Sequence, residues 1–310
     1  MTRAFQASDA ILLVKKESEQ GVEVTPDRNL GKIDGEVEMP DPSQIIDRNS
    51  YVGSNSLTAD ELVKRTFDFD DGTIPVKVVD PLPFELLLGK DKNGSDEIEL
   101  IEDASQQNSA TMQLQYKRPN DSNFLRNYIG VVPSGGSISV SEDDDLVCEL
   151  DISCLDVKTE VTEQSATKSI LDKDTFSFSD VNSNLSMFGV TFSRLNDFTV
   201  DIDKNTEVKK YANNDKPDKP DEIILRQPSV DLEANISVSS DNIYNEILNG
   251  NDTFTTSIGF ARNNGDTLEI IAENCLIEDA PHTVPEEGTV DVPVSIVAET
   301  IRIIMPDNPT

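Results

Sequence analysis

The sequence predicts an all-β protein of two tandem β-sandwich or barrel domains, each with a short flanking helix. Three observations carry this. Apolar and polar residues alternate in short runs from residue 57 to residue 304, the period of strands with one buried face. Runs in the second half repeat those of the first at a fixed distance. At 310 residues the chain is long enough for two cores of ordinary size.

Residues 1–50 hold a short strand-like run at 10–15 and then a stretch rich in Asp, Glu, Pro and Gly that reads as an arm or loop. Phe67 and Phe69, the turn Asp70-Asp71-Gly72, and Ile74, Val76, Val78 and Val79 read as a hairpin. Pro81 and Pro83 then open a short helix that Gly89 closes, and Lys90 to Gln107 is an acidic loop or hairpin arm. Met112, Leu114 and Tyr116 alternate before a turn at 118–121, Phe124 to Val132 follows, and Pro133 to Ser137 reads as a break. The clearest strand comes next. Cys148, Leu150, Ile152 and Cys154 point one way while Glu149, Asp151 and Ser153 point the other, so one face is core and the other meets water or a partner.

The repeat is specific. Tyr116, Arg118 and Asn120 return as Phe260, Arg262 and Asn264, each pair 144 positions apart. The same spacing carries Cys148, Leu150, Ile152 and Cys154 onto Val292, Val294, Ile296 and Ala298, and Lys158 onto Arg302. The helix before Gly89 matches Ile243 to Gly250 at a different offset. This sets one domain at 1–160, a Ser/Thr-rich linker at 161–174 and a second domain at 175–310. Gly189 to Asp203, a Lys- and Pro-containing run at 205–221 and a strand from Glu222 to Arg226 read as a long hairpin without a counterpart in the first half. Its tip and the 90–107 segment are expected to contact neighbouring subunits.

Composition narrows the function. There are 59 acidic residues against 26 basic ones, a formal net charge of −33, which repels nucleic-acid phosphates and argues against a gripping role. Recurrent alternation argues against disorder, so the charge points to a folded protein screened by molar salt, hence a halophilic source. The apolar run Ala10 to Val14 is too short to span a bilayer or form a signal core, so the protein is expected to stay inside the cell that makes it, with no membrane role. Cys148, Cys154 and Cys275 lack metal-ligand spacing and read as core thiols. His282, the single histidine, has no nucleophile or acid motif beside it. Glu142-Asp143-Asp144-Asp145 lacks the spacing and glycine of a calcium loop, and Gly135-Gly136-Ser137 lacks the Lys and following helix of a phosphate loop. No catalytic, cofactor-binding or metal residue is assigned, and an enzyme is not expected.

The order of VKRTFDFDDGTIPVKVVD, a helix ending in LLLG, an acidic loop and a strongly alternating strand, with FGVTFSRLNDFTVDIDKNTEV in the second half, resembles the tail tube proteins of viruses with long flexible tails. The resemblance covers roughly residues 50–304. It implies β-sandwich subunits with a flanking helix that form stacked rings around a β-barrel lumen, through which the genome passes without specific binding. It also implies location in the virion tail after synthesis in the host cytoplasm, and contacts with neighbouring rings and with tape-measure, terminator and baseplate proteins. The acidic composition adds a haloarchaeal virus. Many relatives have a single tube domain, so two in tandem imply a ring of three chains with pseudo-sixfold symmetry in preference to a hexamer. The alternative is a carbohydrate- or surface-binding β-sandwich such as an adhesin or baseplate component, for which a chain with 5% aromatics and no Trp supplies few stacking platforms.

Overall fold

The computed structural model describes residues 10–48, 62–91, 96–101, 108–116, 123–159, 161–166, 173–187, 190–191, 195–211, 219–237, 253–279 and 291–305. Among them the architecture is all-β. In chain order the strands are β1 (Ala10–Lys16), β2 (Arg28–Asn29), β3 (Lys32–Ile33), β4 (Pro42–Arg48), β5 (Leu62–Phe69) and β6 (Gly72–Lys77), followed by helix α1 (Leu82–Leu87). Then come β7 (Gly89–Asp91), β8 (Glu97–Leu100), β9 (Ala110–Tyr116), β10 (Phe124–Ser141), β11 (Val147–Ser153) and β12 (Asp156–Lys158). The second half holds β13 (Val181–Met187), β14 (Val190–Thr191), β15 (Leu195–Asp203), β16 (Glu207–Lys209), β17 (Glu222–Ile224) and β18 (Ser229–Ser237). It ends with β19 (Phe254–Ala261), β20 (Thr267–Asp279), β21 (Asp291–Ala298) and β22 (Thr300–Ile304).

Ladder pairing links β3, β6, β11, β10, β15, β18, β21 and β20 in one row. The β10–β15 ladder joins the first half of the chain to the second, and β8 pairs with β22 at a second crossing. Both β10 and β20 serve two sheets. The first part of β10 pairs with β9 and β12 and its second part with β11 and β15; β20 pairs first with β19 and β22, then with β21. A strand can turn from one sheet to another only where its ladder is interrupted. The interruption sits at Gly130 and at Asn274, with φ of 64° and 52°.

Those two residues are 144 apart, and the registers around them coincide under the same shift. Phe124 faces Tyr116 as Leu268 faces Phe260. Asn127 faces Lys158 as Ile271 faces Arg302. Pro133 faces Ile152 as Ile277 faces Ile296. Even the irregularities recur, between Pro133 and Gly135 and between Ile277 and Asp279. Val76 faces Cys148 as Ile236 faces Val292, a shift of 160 on that strand because 32 residues separate β6 from β9 and 16 separate β18 from β19. Upstream, the bridge of Glu38 to Thr73 corresponds to the pairing of Thr199 with Glu233, so the edge at β3 stands where β15 stands.

One continuous core holds both halves together. Ile74, Val76, Cys148, Leu150 and Ile152 from the first half share it with Val200, Val230, Leu232, Val292, Val294 and Ile296 from the second. Pro81 and Pro83 start α1, whose Phe84, Leu86 and Leu87 are buried. Gly89 ends it at φ 102°, where a Cβ would lie 2.4 Å from Ile101.

Several expectations change. The strands flanking Asp70-Asp71-Gly72 form but do not pair with each other, since β5 pairs with β4 and β6 with β11. Gly72 is small for another reason: a Cβ there would lie 2.5 Å from the Glu38 carbonyl oxygen. The stretch after residue 15 is not only an arm, because it contributes β2, β3 and β4. Pro133 to Ser137 is not a break but lies inside β10. The long hairpin resolves into β15, which joins the main row, and a short hairpin of β16 and β17. That hairpin does have a counterpart, since it falls between β15 and β18 as β4–β5 falls between β3 and β6. The helix expected at 243–250 and the turn at 118–121 lie outside the described residues.

Gly136, at φ 150°, has no space for a side chain, because a Cβ would lie 2.0 Å from the Glu149 carbonyl oxygen. Gly136→Ala is expected to cost about 3 kcal/mol through displaced backbone, read as a lower urea midpoint at unchanged slope. A midpoint equal to wild type would show that β10 and β11 are not this close.

Candidate functional site: an acidic sheet face

Alternation along the main row sends one set of side chains into the core and the other to the opposite face. The register decides which outward residues become neighbours. One line across the sheet reads Pro75, Glu149, Ser137, Asp201, Asp231 and Val297. The line on one side reads Thr73, Asp151, Gly135, Asp203 and Ser229. On the other side stand Lys77, Val147, Ser139, Thr199, Glu233 and Ser295, and beyond them Ser141, Asp197, Asn235 and Pro293. Carboxylates from β11, β15 and β18 therefore form one field.

Among the described residues on these lines the only base is Lys77, and it is already engaged. Its Nζ lies 2.8 Å from Asp145 and 3.3 Å from Asp34. Asp201 and Asp231 face each other directly across two strands, an arrangement that is destabilising for like charges. Burial, then Glu233, Asp231 and Asp151, hold the Asp201 carboxyl above the ordinary carboxylate range. Burial, then Asp151 and Asp201, do the same for Glu149. A sheet face that accumulates repulsion of this kind is not optimised for the stability of the lone chain. Among the described residues on these lines no base is left unengaged to pair with an anion, and the like charge repels one.

The residues considered from sequence fall elsewhere. The acidic run at 142–145 caps the connection from β10 to β11, with Asp143 at φ 68°. Burial raises the Asp145 carboxyl, but hydrogen bonds from Lys77 and Thr175 outweigh it and bring it below its usual value. Gly135 and Gly136 let β10 approach β15 and β11, since a Cβ on Gly135 would lie 2.6 Å from the Ile202 carbonyl oxygen. All three cysteines are free and buried, and burial pushes their thiols up. His282 lies outside the described residues. Among the described residues no group of His, Cys, Asp and Glu is arranged to hold a metal ion. The sequence reading missed the field itself. Its signal was the spacing of Asp197, Asp201 and Asp203, legible as a polar strand face but not as the neighbour of Glu149 and Asp151.

Because the folded-state carboxyls of Asp201 and Glu149 are raised, the folded chain holds these protons longer than the unfolded one. Stability is then lost as pH rises from the ordinary carboxylate range through the raised values, and is regained on acidification. Asp201→Asn is expected to stabilise the chain at neutral pH and low salt by about 0.2–1 kcal/mol, with the gain vanishing in 3 M KCl. A destabilised variant at low salt would refute the repulsion.

A family model described as phage tail tube protein matches residues 7–298. No curated protein matches the chain.

Proposed function

We propose, from the premise that this chain belongs to the phage tail tube protein family, that its halves are duplicated tube domains and that three copies close head to tail into one ring. The chain is a structural protein of the virion tail that assembles with itself and with other tail components. The observation that carries the finer reading is the β10–β15 ladder. It joins the end of the first half's row to the start of the second half's. The same two kinds of edge recur at the ends of the whole row, β20 at one and β3 with residues 34–41 at the other. One joint is made within the chain; its equivalent is made between chains, and heterologous joints of this kind close into rings.

Each chain supplies eight strands to the row. Three chains supply 24, and 24 strands about 4.8 Å apart and tilted by about 40° close at a backbone diameter of roughly 48 Å. Closure also removes the open edges that would otherwise pair without control. The acidic face lines the lumen in this arrangement, so a genome slides through stacked rings without adhering. The net charge of −33 supports a virus of a halophilic archaeon, and the resemblance of the sequence motifs to tube proteins of long flexible tails supports a tail of that kind.

Reconstruction of tubes assembled in molar KCl tests the reading. Three chains per ring, with both halves in the wall and the Asp201 face inward, is the expected result. Six chains per ring, each contributing both halves, would refute it.

A further inference from the structure

We infer that the exposed apolar pair Leu276 and Val297 is the seat of the β4–β5 hairpin of a second copy of this chain. The inference rests on the ring reading and assigns one of its contacts. Leu276 and Val297 face each other in the β20–β21 ladder and are 49% and 40% exposed. Val297 also faces Asp231, so the pair adjoins the acidic face. Under the 144-residue shift their counterparts are Val132 and Ser153, which face each other in the β10–β11 ladder and are 0% and 5% exposed.

The difference has an identifiable cause. Val132 packs in a small cluster with Leu155 and Ile223, and Ile223 belongs to β17, in the hairpin of the other half. Two contacts clamp that hairpin in place. The Gln20 side chain donates to the Ile223 carbonyl at 3.2 Å and accepts from its N–H at 3.3 Å, and Lys219 lies 2.5 Å from Asp156. The first half therefore receives its cover from the β16–β17 hairpin within the chain. The second half leaves the equivalent seat bare.

The hairpin that corresponds to β16–β17 is β4–β5. It cannot reach the seat on its own chain, because it leaves the row at β3 and β6 while Leu276 lies on β20 at the far end. Six ladder steps separate β6 from β20, on the order of 30 Å. In a head-to-tail ring the next copy brings its β3 edge against β20, and its β4–β5 hairpin arrives over Leu276 as β16–β17 arrives over Val132. Burying the pair removes the apolar exposure from the lumen wall.

Val63 stands 160 positions before Ile223, the shift that relates β6 to β18. The test is the double variant Val63→Cys, Leu276→Cys, assembled in 3 M KCl, oxidised and run without reductant. Bands at two and three chain masses, with monomer only for each single variant, are expected. Wild-type rings with only monomer from the double variant would overturn the hairpin's place and leave the ring reading standing. Absence of wild-type rings would overturn both. Leu276→Asp supplies a second readout. It should melt within about a degree of wild type yet need at least tenfold more protein to assemble, whereas Val132→Asp at the sealed counterpart should not fold. Assembly of Leu276→Asp at the wild-type concentration would overturn the inference.

Discussion

The chain is expected to lose stability steeply below about 0.5 M salt and to melt about 15 °C or more higher in 3 M than in 0.1 M KCl. The reason is a comparison of two lengths. Outward residues opposed across strands have Cβ atoms about 5 Å apart, and Asp201 and Asp231 are such a pair, with Asp151, Asp203 and Glu233 on adjoining lines. At 0.1 M the Debye length is about 10 Å, so these charges repel almost unscreened; at 1 M it is about 3 Å, shorter than their separation. The formal charge of −33 adds a longer-range repulsion that vanishes over the same interval. Differential scanning calorimetry across a KCl series is the measurement. A melting temperature that stays flat from 0.1 to 3 M would mean that the acidic field does not limit stability.

Much of this arrangement was legible in the sequence, and what was not has a physical explanation. Alternation at Cys148 to Cys154 identified a strand with one core face because burial acts on every second residue; β11 follows that pattern from Val147 to Ile152, and Ser153, expected to face outward, is buried as well. The spacing of 144 was visible in side chains and recurs in the registers of β9 to β12 against β19 to β22. Glycine was the ambiguous signal. Asp70-Asp71-Gly72 and Gly135-Gly136 looked like turn chemistry, yet these glycines are small because other backbones press on them, Glu38 on Gly72 and Ile202 and Glu149 on Gly135 and Gly136. A local window cannot separate a residue that must turn from one that must be thin. The candidate lumen face was hidden for a related reason. It is assembled by ladders that bring Glu149 beside Ser137, and Ser137 beside Asp201, and the register between segments so far apart in the chain leaves no trace in either segment alone.

Proline substitutions at Val37 and Met39 are expected to abolish ring formation while leaving the chain folded. Glu38 exchanges both backbone hydrogen bonds with Thr73, at 2.9 and 2.8 Å, so its N–H and C=O point toward β6. Neighbouring residues in an extended strand point theirs the opposite way, which turns the amides of Val37 and Met39 to the outer edge of the row. By the correspondence of Glu38 with Thr199 they stand where Phe198 and Val200 stand, and those two face Val140 and Ile138 of β10 in the joint between the halves. Proline removes an amide donor without touching an intramolecular ladder bond on this side. Replacing both residues strips two donors from every joint of a ring, and each backbone hydrogen bond left unmade at a buried joint costs about 1–3 kcal/mol. Two per joint over three joints exceeds what a marginal assembly tolerates. Sedimentation and negative-stain microscopy in 3 M KCl should show monomers, with circular dichroism close to wild type and melting close to that of Val37→Ala, Met39→Ala, which loses the same packing against the core but keeps both amides and should still form rings. Rings of normal dimensions from the double variant would mean that the edge at residues 34–41 is not the one that receives β20, and that the joint between chains differs from the one between the halves.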